Sequence, residues 1–362
     1  MKVALVHDYL TQYGGAERVL DVFCEIFPEA PIYTLLCDKK KTGLIFESKK
    51  IYTSFLQKIP FIKNHHRSFL MLMPFAVEQF DLSQYDLVVS DSASYAKGAI
   101  TSPNTKHICY CHTPIRYAWD DSQKYINEFG YSKLSQKFIP FFMNYIRIWD
   151  EQAAERVDKF IANSDFVADR ILKYYHQESE VIYPPIKTDL FYIADKIENY
   201  FLMVGRLLPY KKFDLAIEVF NKLGLPLKIV GDGPERKYLQ KIAKKNIEFV
   251  GLVSDNKLRD YYAHCQAFIF PQEEDFGITA IEAMASGRPV IAYKAGGALE
   301  FIKENITGMF FEKQEEDCLI ETIKRFDVHN FNPQFIRAEA KKFDKEIFKS
   351  RIKEFIDREY NN

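Results

Sequence analysis

Two glutamates with seven residues between them, Glu274 and Glu282, carry the densest chemical signal in this chain. They lie within residues 270–297, FPQEEDFGITAIEAMASGRPVIAYKAGG. An apolar strand pattern at 267–270 turns abruptly polar and acidic, and after Gly277 a helix pattern begins in which Ile278, Ile281 and Ala285 face inward. Gly287 ends that helix, Pro289 opens the next strand and Gly296-Gly297 breaks it. A helix N-terminus open above strand ends is where α/β folds place anionic ligands. Were the whole interval helical, a rise of ~1.5 Å per residue would separate the two carboxylates by ~12 Å. That exceeds the ~5–9.5 Å of a glycosidase acid and nucleophile pair. The two are therefore read as serving different parts of one extended ligand, with a phosphate held between them by the main chain of Phe276, Gly277, Ile278 and Thr279. A capped surface helix whose acids complement its dipole accounts for the same residues.

Further candidates sit at other predicted strand ends. Arg206 and Lys211, in VGRLLPYKK, project from a loop and helix start; two fixed cations there can neutralise negative charge on a ligand without a metal. Lys212 is equally a solvated basic turn. Gly14-Gly15 precedes a helix, which suits close backbone approach to a phosphate, although such a pair also simply turns a chain. Gly231 and Gly233 in IVGDGPER end another strand, where an ordinary βα turn is the alternative. His112 ends the strand KHICYC; Cys109 and Cys111 share one strand face and His112 points elsewhere, so no metal site is expected.

The elements that must position these residues follow from composition and periodicity. At 362 residues the chain fits two domains of ordinary size, and 47% hydrophobic with 27% charged residues is a globular profile with large cores. A net charge of -1 gives no field for nucleic acid. Six cysteines without a C-x-x-C pair suggest a reducing cytoplasm. Nothing resembles a signal peptide, and no apolar run approaches the ~20 residues of a membrane-spanning helix, so any contact with the inner membrane face is expected to be peripheral. Residues 39–75 hold eight Lys/Arg against one acid, Glu47, interleaved with Phe55, Leu56, Phe61, Ile62, Leu72, Met73 and others. Such a segment can lie on an anionic membrane, or form a helical hairpin with a solvated basic side. A strand at 3–7 leads to a helix near 16–27 with the stripe Val19, Leu20, Phe23 and Ile26; a long helix is expected at 135–157. YPPIKTDLF is a stiff connection and marks the domain boundary. Beyond it, apolar strands at 201–204, 227–230, 247–250, 268–270 and 290–292 alternate with helices, the pattern of a parallel sheet covered on both faces.

Glu274-x7-Glu282 within EDFGITAIEAMASGRPV resembles the signature of glycosyltransferase family 4, retaining enzymes of the GT-B fold. The resemblance spans nearly the whole chain. It implies an α/β architecture of two Rossmann-like domains facing each other across a cleft: residues 1–183, joined by a returning helix at about 346–362, and residues 184–345. It also implies roles. Glu274 would meet hydroxyls of the transferred sugar, Glu282 the ribose, and Arg206 and Lys211 the diphosphate; the family usually has Gly where this chain has Lys212. Gly231, Gly233 and Val250 would border the nucleotide base, and GGAERV resembles the family's first glycine loop, placing Gly14 and Gly15 near the diphosphate. CHTPIRYAWD resembles a bacterial subgroup of the family, which places His112 beside the transferred sugar with Arg116 as a neighbour. That subgroup implies a hexose donor, GDP-mannose, a saccharide or lipid-diphosphate-linked acceptor, and surface-polysaccharide synthesis without a metal or other cofactor. The alternatives are a GT-B nucleotide-sugar epimerase and a nucleotide-sugar-binding partner without catalysis. A dinucleotide dehydrogenase is disfavoured, since no G-x-G-x-x-G follows the first strand.

Overall fold

The structure, a computed structural model, describes residues 1–42, 45–60, 62, 66–120 and 133–361. It divides into two compact units, Met1–Pro185 with Phe348–Asn362, and Ile186–Ile347.

Among the described residues of the first unit, seven strands form one parallel sheet. They are β1 (Val3–Leu10), β2 (Ile32–Cys37), β3 (Ile51–Thr53), β4 (Leu87–Ser92), β5 (Lys106–Cys111), β6 (Lys159–Ala162) and β7 (Ser179–Val181), in the order β3-β2-β1-β4-β5-β6-β7. β2 and β4 are buried along their whole length, the continuous apolar reading of strands covered on both faces. On one face Leu5, Val89, Ile108 and Tyr110 pack against Leu20 and Phe23 of the Gly15–Ile26 helix. The Lys345–Asn361 helix joins the same core through Phe348, Ile352, Phe355 and Ile356, a one-sided stripe at helical spacing. Phe348 meets Phe23 and Tyr110 edge-on, both at 5.6 Å between ring centres. Each side chain so buried contributes roughly 1.5–3 kcal/mol. On the other face Val6 and Val88 pack with Tyr95, Ile146, Trp149 and Ala153, the last three from the Lys133–Glu155 helix.

The basic segment is less available than its sequence suggests. Leu56, Ile62 and Met73 are core residues, and Lys49 turns inward, its Nζ donating to the carbonyls of Cys24, Phe27 and Pro28 at the end of the Gly15–Ile26 helix. That placement suits a cation at a helix C-terminus. Lys39, Lys40, Lys41 and Lys58 remain exposed, as do Phe55, Leu72 and Phe75, and the Phe55 and Phe75 rings are 5.6 Å apart. Phe61 and Lys63 lie outside the described residues.

Six described strands build the second unit's parallel sheet: β8 (Phe201–Val204), β9 (Leu227–Val230), β10 (Ile247–Gly251), β11 (Phe268–Phe270), β12 (Val290–Tyr293) and β13 (Gly308–Phe311). Their order is β10-β9-β8-β11-β12-β13. In both sheets the strand order reverses beside the first strand, between β1 and β4 and between β8 and β11. Loops leaving the carboxyl ends of strands diverge at such a point, and open sheets bind ligands there. Asp91 is on β4 and the Gly14-Gly15 turn follows β1; Arg206 follows β8 and Glu274 follows β11. His112 leaves β5, the next strand over.

Candidate active site

In the second unit, the loop after β11 brings Glu274 against Lys211, 63 residues away in sequence. The Lys211 ammonium donates to Glu274 Oε1, with the two side chains 13% and 16% exposed. Gln272 Nε2 adds a second bond to the same oxygen at 3.3 Å. Glu274 thus faces a fixed cation, and the three side chains form one polar cluster at strand ends. Glu282 sits within the Ile278–Ala285 helix, 2% exposed, and Oε2 accepts from the Tyr262 hydroxyl at 2.9 Å.

The Ile278–Ala285 helix begins immediately after Gly277, so the first amides, Ile278 and Thr279, have no backbone acceptor among the described residues. Thr279 Oγ1 and Gln272 Oε1 are likewise buried without a hydrogen-bond partner among the described residues. Buried polar atoms seldom stay unsatisfied, so this combination suits an anionic, hydroxyl-bearing ligand. The Phe276 ring packs on Phe301 and Phe343, away from a ligand-binding role of its own side chain, which leaves its main chain at the turn before the helix.

Tertiary packing explains the glycines. At Gly231, φ is +136° and a Cβ would lie 1.9 Å from the Gly205 carbonyl oxygen, so the turns after β8 and β9 touch backbone to backbone. Gly233 approaches Leu207 in the same way, and Val250 is half-buried in β10. Gly296, at φ +61°, lies against the Glu274 carbonyl, where a Cβ would come to 2.4 Å. Gly297 N–H donates to that carbonyl at 2.9 Å. This pair was legible only as a strand breaker; in the fold it clamps the loop that carries Glu274. Lys212 occupies the left-handed region, φ 55° and ψ 34°, which is why glycine suits that position, whereas Lys211 makes the contact with Glu274. Arg206 is exposed in the loop after β8.

In the first unit, His112 stands at the end of β5 with its side chain 13% exposed, and Nε2 lies 2.6 Å from Asp91 Oδ1. The other oxygen of Asp91 lies 2.8 Å from His7 Nδ1. Burial opposes charge on Asp91, but the His112 and His7 rings outweigh it and hold the carboxyl below its ordinary range. For His7, burial would depress the imidazolium, yet the hydrogen bond and charge of Asp91, with Glu17 and Asp8 behind, push it up to about 9. Neither His7 nor Asp91 stood out in the sequence; HD at 7–8 and SDS at 90–92 carry no spacing signal, since the contact spans 84 residues. Gly14 caps the Gly15–Ile26 helix, and its N–H donates to Glu17 Oε2 at 2.7 Å. Arg116 is half-buried at the start of the short Arg116–Trp119 helix. Cys109 and Cys111 are buried among Ala154, Val157 and Phe160.

Residues 13–190 match the family profile described as Glycosyltransferase Family 4, and residues 192–333 match Glycosyl transferases group 1. An uncharacterized glycosyltransferase of Methanocaldococcus jannaschii is 28% identical over 182 residues, 49% of this chain and 52% of that protein. A GDP-mannose-dependent alpha-mannosyltransferase of Corynebacterium glutamicum is 37% identical over 110 residues, 30% of this chain and 26% of that protein. The matches thus span about half or less of these relatives' length. The crystal structure of Anabaena HepE with UDP-glucose superposes with a TM-score of 0.72 at 18% identity, covering 99% of this chain and 100% of that one; at such identity it shows the fold alone. With two matching glycosyltransferase segments laid end to end on two parallel α/β sheets, the chain belongs to the family 4 glycosyltransferases of GT-B fold.

Proposed function

We propose that this chain is a retaining hexosyltransferase that moves mannose from GDP-mannose to a saccharide or lipid-diphosphate-linked acceptor in surface-polysaccharide synthesis. The observation that carries the reading is the Lys211–Glu274 pair, its glutamate in the loop that leads to a helix N-terminus with unsatisfied polar atoms, which suits a sugar diphosphate. In this reading Glu274 meets the hydroxyls of the transferred sugar and Glu282 the ribose. Arg206, Lys211 and the amides of Ile278 and Thr279 take the diphosphate; the chain's own cations do the work a divalent metal would otherwise do. Gly231, Gly233 and Val250 line the base. His112 of the first unit is assigned to the transferred sugar, and the Gly14-Gly15 turn to the phosphates. The Corynebacterium relative's GDP-mannose dependence supports the choice of donor.

Calorimetry with GDP tests the assignment of the two glutamates. Glu282→Ala is expected to weaken GDP binding by about 1.5–3 kcal/mol, the value of a hydrogen bond to a charged group. Tyr262→Phe, which removes the internal bond to Glu282, should leave GDP affinity unchanged. Glu274→Ala should lower turnover and leave GDP affinity nearly intact. Equal loss of affinity in the two glutamate variants overturns the assignment, and a preference for UDP over GDP overturns the donor.

We also propose reversible contact with an anionic membrane through residues 39–75, where a lipid-linked acceptor would lie. No described helix is long and apolar enough to cross a membrane. The segment exposes Lys39, Lys40, Lys41 and Lys58, each contributing about 1 kcal/mol near an anionic surface, together with Phe55, Leu72 and Phe75. Co-sedimentation with phosphatidylglycerol vesicles is expected at low salt and should be lost at high salt. Changing these four lysines to glutamate should abolish it without altering GDP affinity. Protein that stays in the supernatant at low salt refutes the contact.

A further inference from the structure

Four ionisable side chains line up inside the first unit, on elements brought together by the sheet order. Glu17 comes from the Gly15–Ile26 helix, His7 from β1, Asp91 from β4 and His112 from the end of β5. His7 and Asp91 are direct neighbours in the β1–β4 register, and His112 N–H donates to the Ser92 carbonyl at 2.8 Å, which fixes its backbone beside β4. Glu17, His7 and Asp91 are each no more than 3% exposed; His112 is the member that reaches the surface.

The two ring nitrogens of His7 both face carboxylates: Nδ1 is 2.8 Å from Asp91 Oδ2 and Nε2 is 4.0 Å from Glu17 Oε1. A neutral imidazole has one N–H and one lone pair, so it would turn a lone pair toward a buried carboxylate; the imidazolium offers a proton to each side. Asp91, buried to this degree, needs a cation to remain ionised, and His7 is enclosed next to it. Asp8, whose carboxylate is taken by the backbone N–H groups of Ala93, Tyr95 and Ala96, adds negative charge behind the ring. With its charge balanced from inside, Asp91 is set to accept an Nε2–H from His112, 2.6 Å away, an arrangement that would turn the lone pair of His112 to Nδ1. At the far end, Glu17 Oε2 accepts from Gly14 N–H, so the row terminates on the glycine turn.

We propose that His7 is a positioning residue: a buried imidazolium between Glu17 and Asp91 that fixes the Nε2–H form of His112 and so presents Nδ1 to the sugar. The part concerning the sugar rests on the transferase reading; the part concerning His7 and His112 does not.

Long-range nitrogen–proton NMR on the full chain carrying ¹⁵N-histidine reads ring protonation directly, with His7→Gln and His112→Gln assigning the signals. At pH 7.5 His7 is expected to carry protons on both nitrogens and His112 on Nε2. In His7→Gln the His112 ring nitrogens should shift, and kcat for sugar transfer should fall at least tenfold while the donor KM stays within twofold. A purely structural role would move KM and thermal stability together instead. Glu17→Gln keeps an acceptor for Gly14 and removes one charge from His7; it should make His7 lose its second proton at lower pH than in the wild type. This variant decides the matter if His7→Gln does not fold. A wild-type His7 with a single ring proton at pH 7.5, or His112 signals unmoved in a folded His7→Gln protein, overturns the proposal. If the NMR results hold and no nucleotide sugar supports transfer, the network stands and the transferase reading falls.

Discussion

Lys211→Ala is expected to lower turnover about 10²–10³-fold, the loss that follows when one preorganised group stabilising a developing charge is removed. The ammonium is held in place by Glu274, so it needs no reorganisation when charge builds on the leaving diphosphate. Removing it also strips a partly buried carboxylate of its cation, which adds to the loss. Arg206→Ala should show a drop of the same order, since the planar guanidinium can grip two phosphate oxygens at once. Lys212→Ala should cost much less, because Lys212 serves as a left-handed hinge between Lys211 and the Phe213–Leu223 helix. Activity of the wild type is expected to survive EDTA. Initial rates of GDP release with and without chelator measure all of this. Strict dependence on added Mg²⁺ or Mn²⁺ defeats the two-cation mechanism, and a larger loss at Lys212 than at Lys211 reassigns the contact.

The second large effect is on stability and lies away from the chemistry. Lys97 and Asp150 form an ion pair with both side chains fully buried. Asp150 Oδ2 also accepts from Trp119 Nε1 at 2.8 Å and from the Tyr175 hydroxyl at 2.7 Å, and Lys97 Nζ donates to the Ser94 carbonyl at 2.6 Å. The pair ties the loop after β4 to the Lys133–Glu155 and Asp165–Tyr175 helices. Lys97→Met leaves a carboxylate buried without a cation, and such a break costs about 3–5 kcal/mol. Replacing both partners, Lys97→Met with Asp150→Leu, should recover a large part of that, since a buried pair and an apolar pair of similar volume are often close in energy. Urea unfolding of the wild type, Lys97→Met, Asp150→Leu and the double variant gives the coupling. A loss below about 1 kcal/mol in Lys97→Met would mean that the carboxylate finds another partner or takes up a proton.

How much of this was readable beforehand depends on the distance in sequence over which each signal acts. Period-two and helical patterns, the βα alternation after YPPIKTDLF, and the turn glycines located five of the six described strands of the second sheet to within a residue or two, and missed β13. They did so because burial on one face or both leaves a local imprint. The same local grammar displayed Glu274, Glu282, Arg206, Lys211 and His112 at strand ends and helix starts. It left the basic segment open between two readings, because apolar residues between lysines look alike whether they face a core, as Leu56 and Met73 do, or solvent, as Phe55 and Phe75 do.

By itself, then, the sequence determined most of the strands, though not β3 or β13, and that chemistry gathers where strands end. Tertiary structure alone decided the partners: Lys211 with Glu274 across 63 residues, Tyr262 with Glu282 across 20, Gly296 under Glu274, and His7 with Asp91 across 84. A parallel sheet joins its strands through crossovers, so residues adjacent in space are never adjacent in the chain. Which strand lies beside which is set by how all the helices cover both faces at once, and no window of local pattern contains that information.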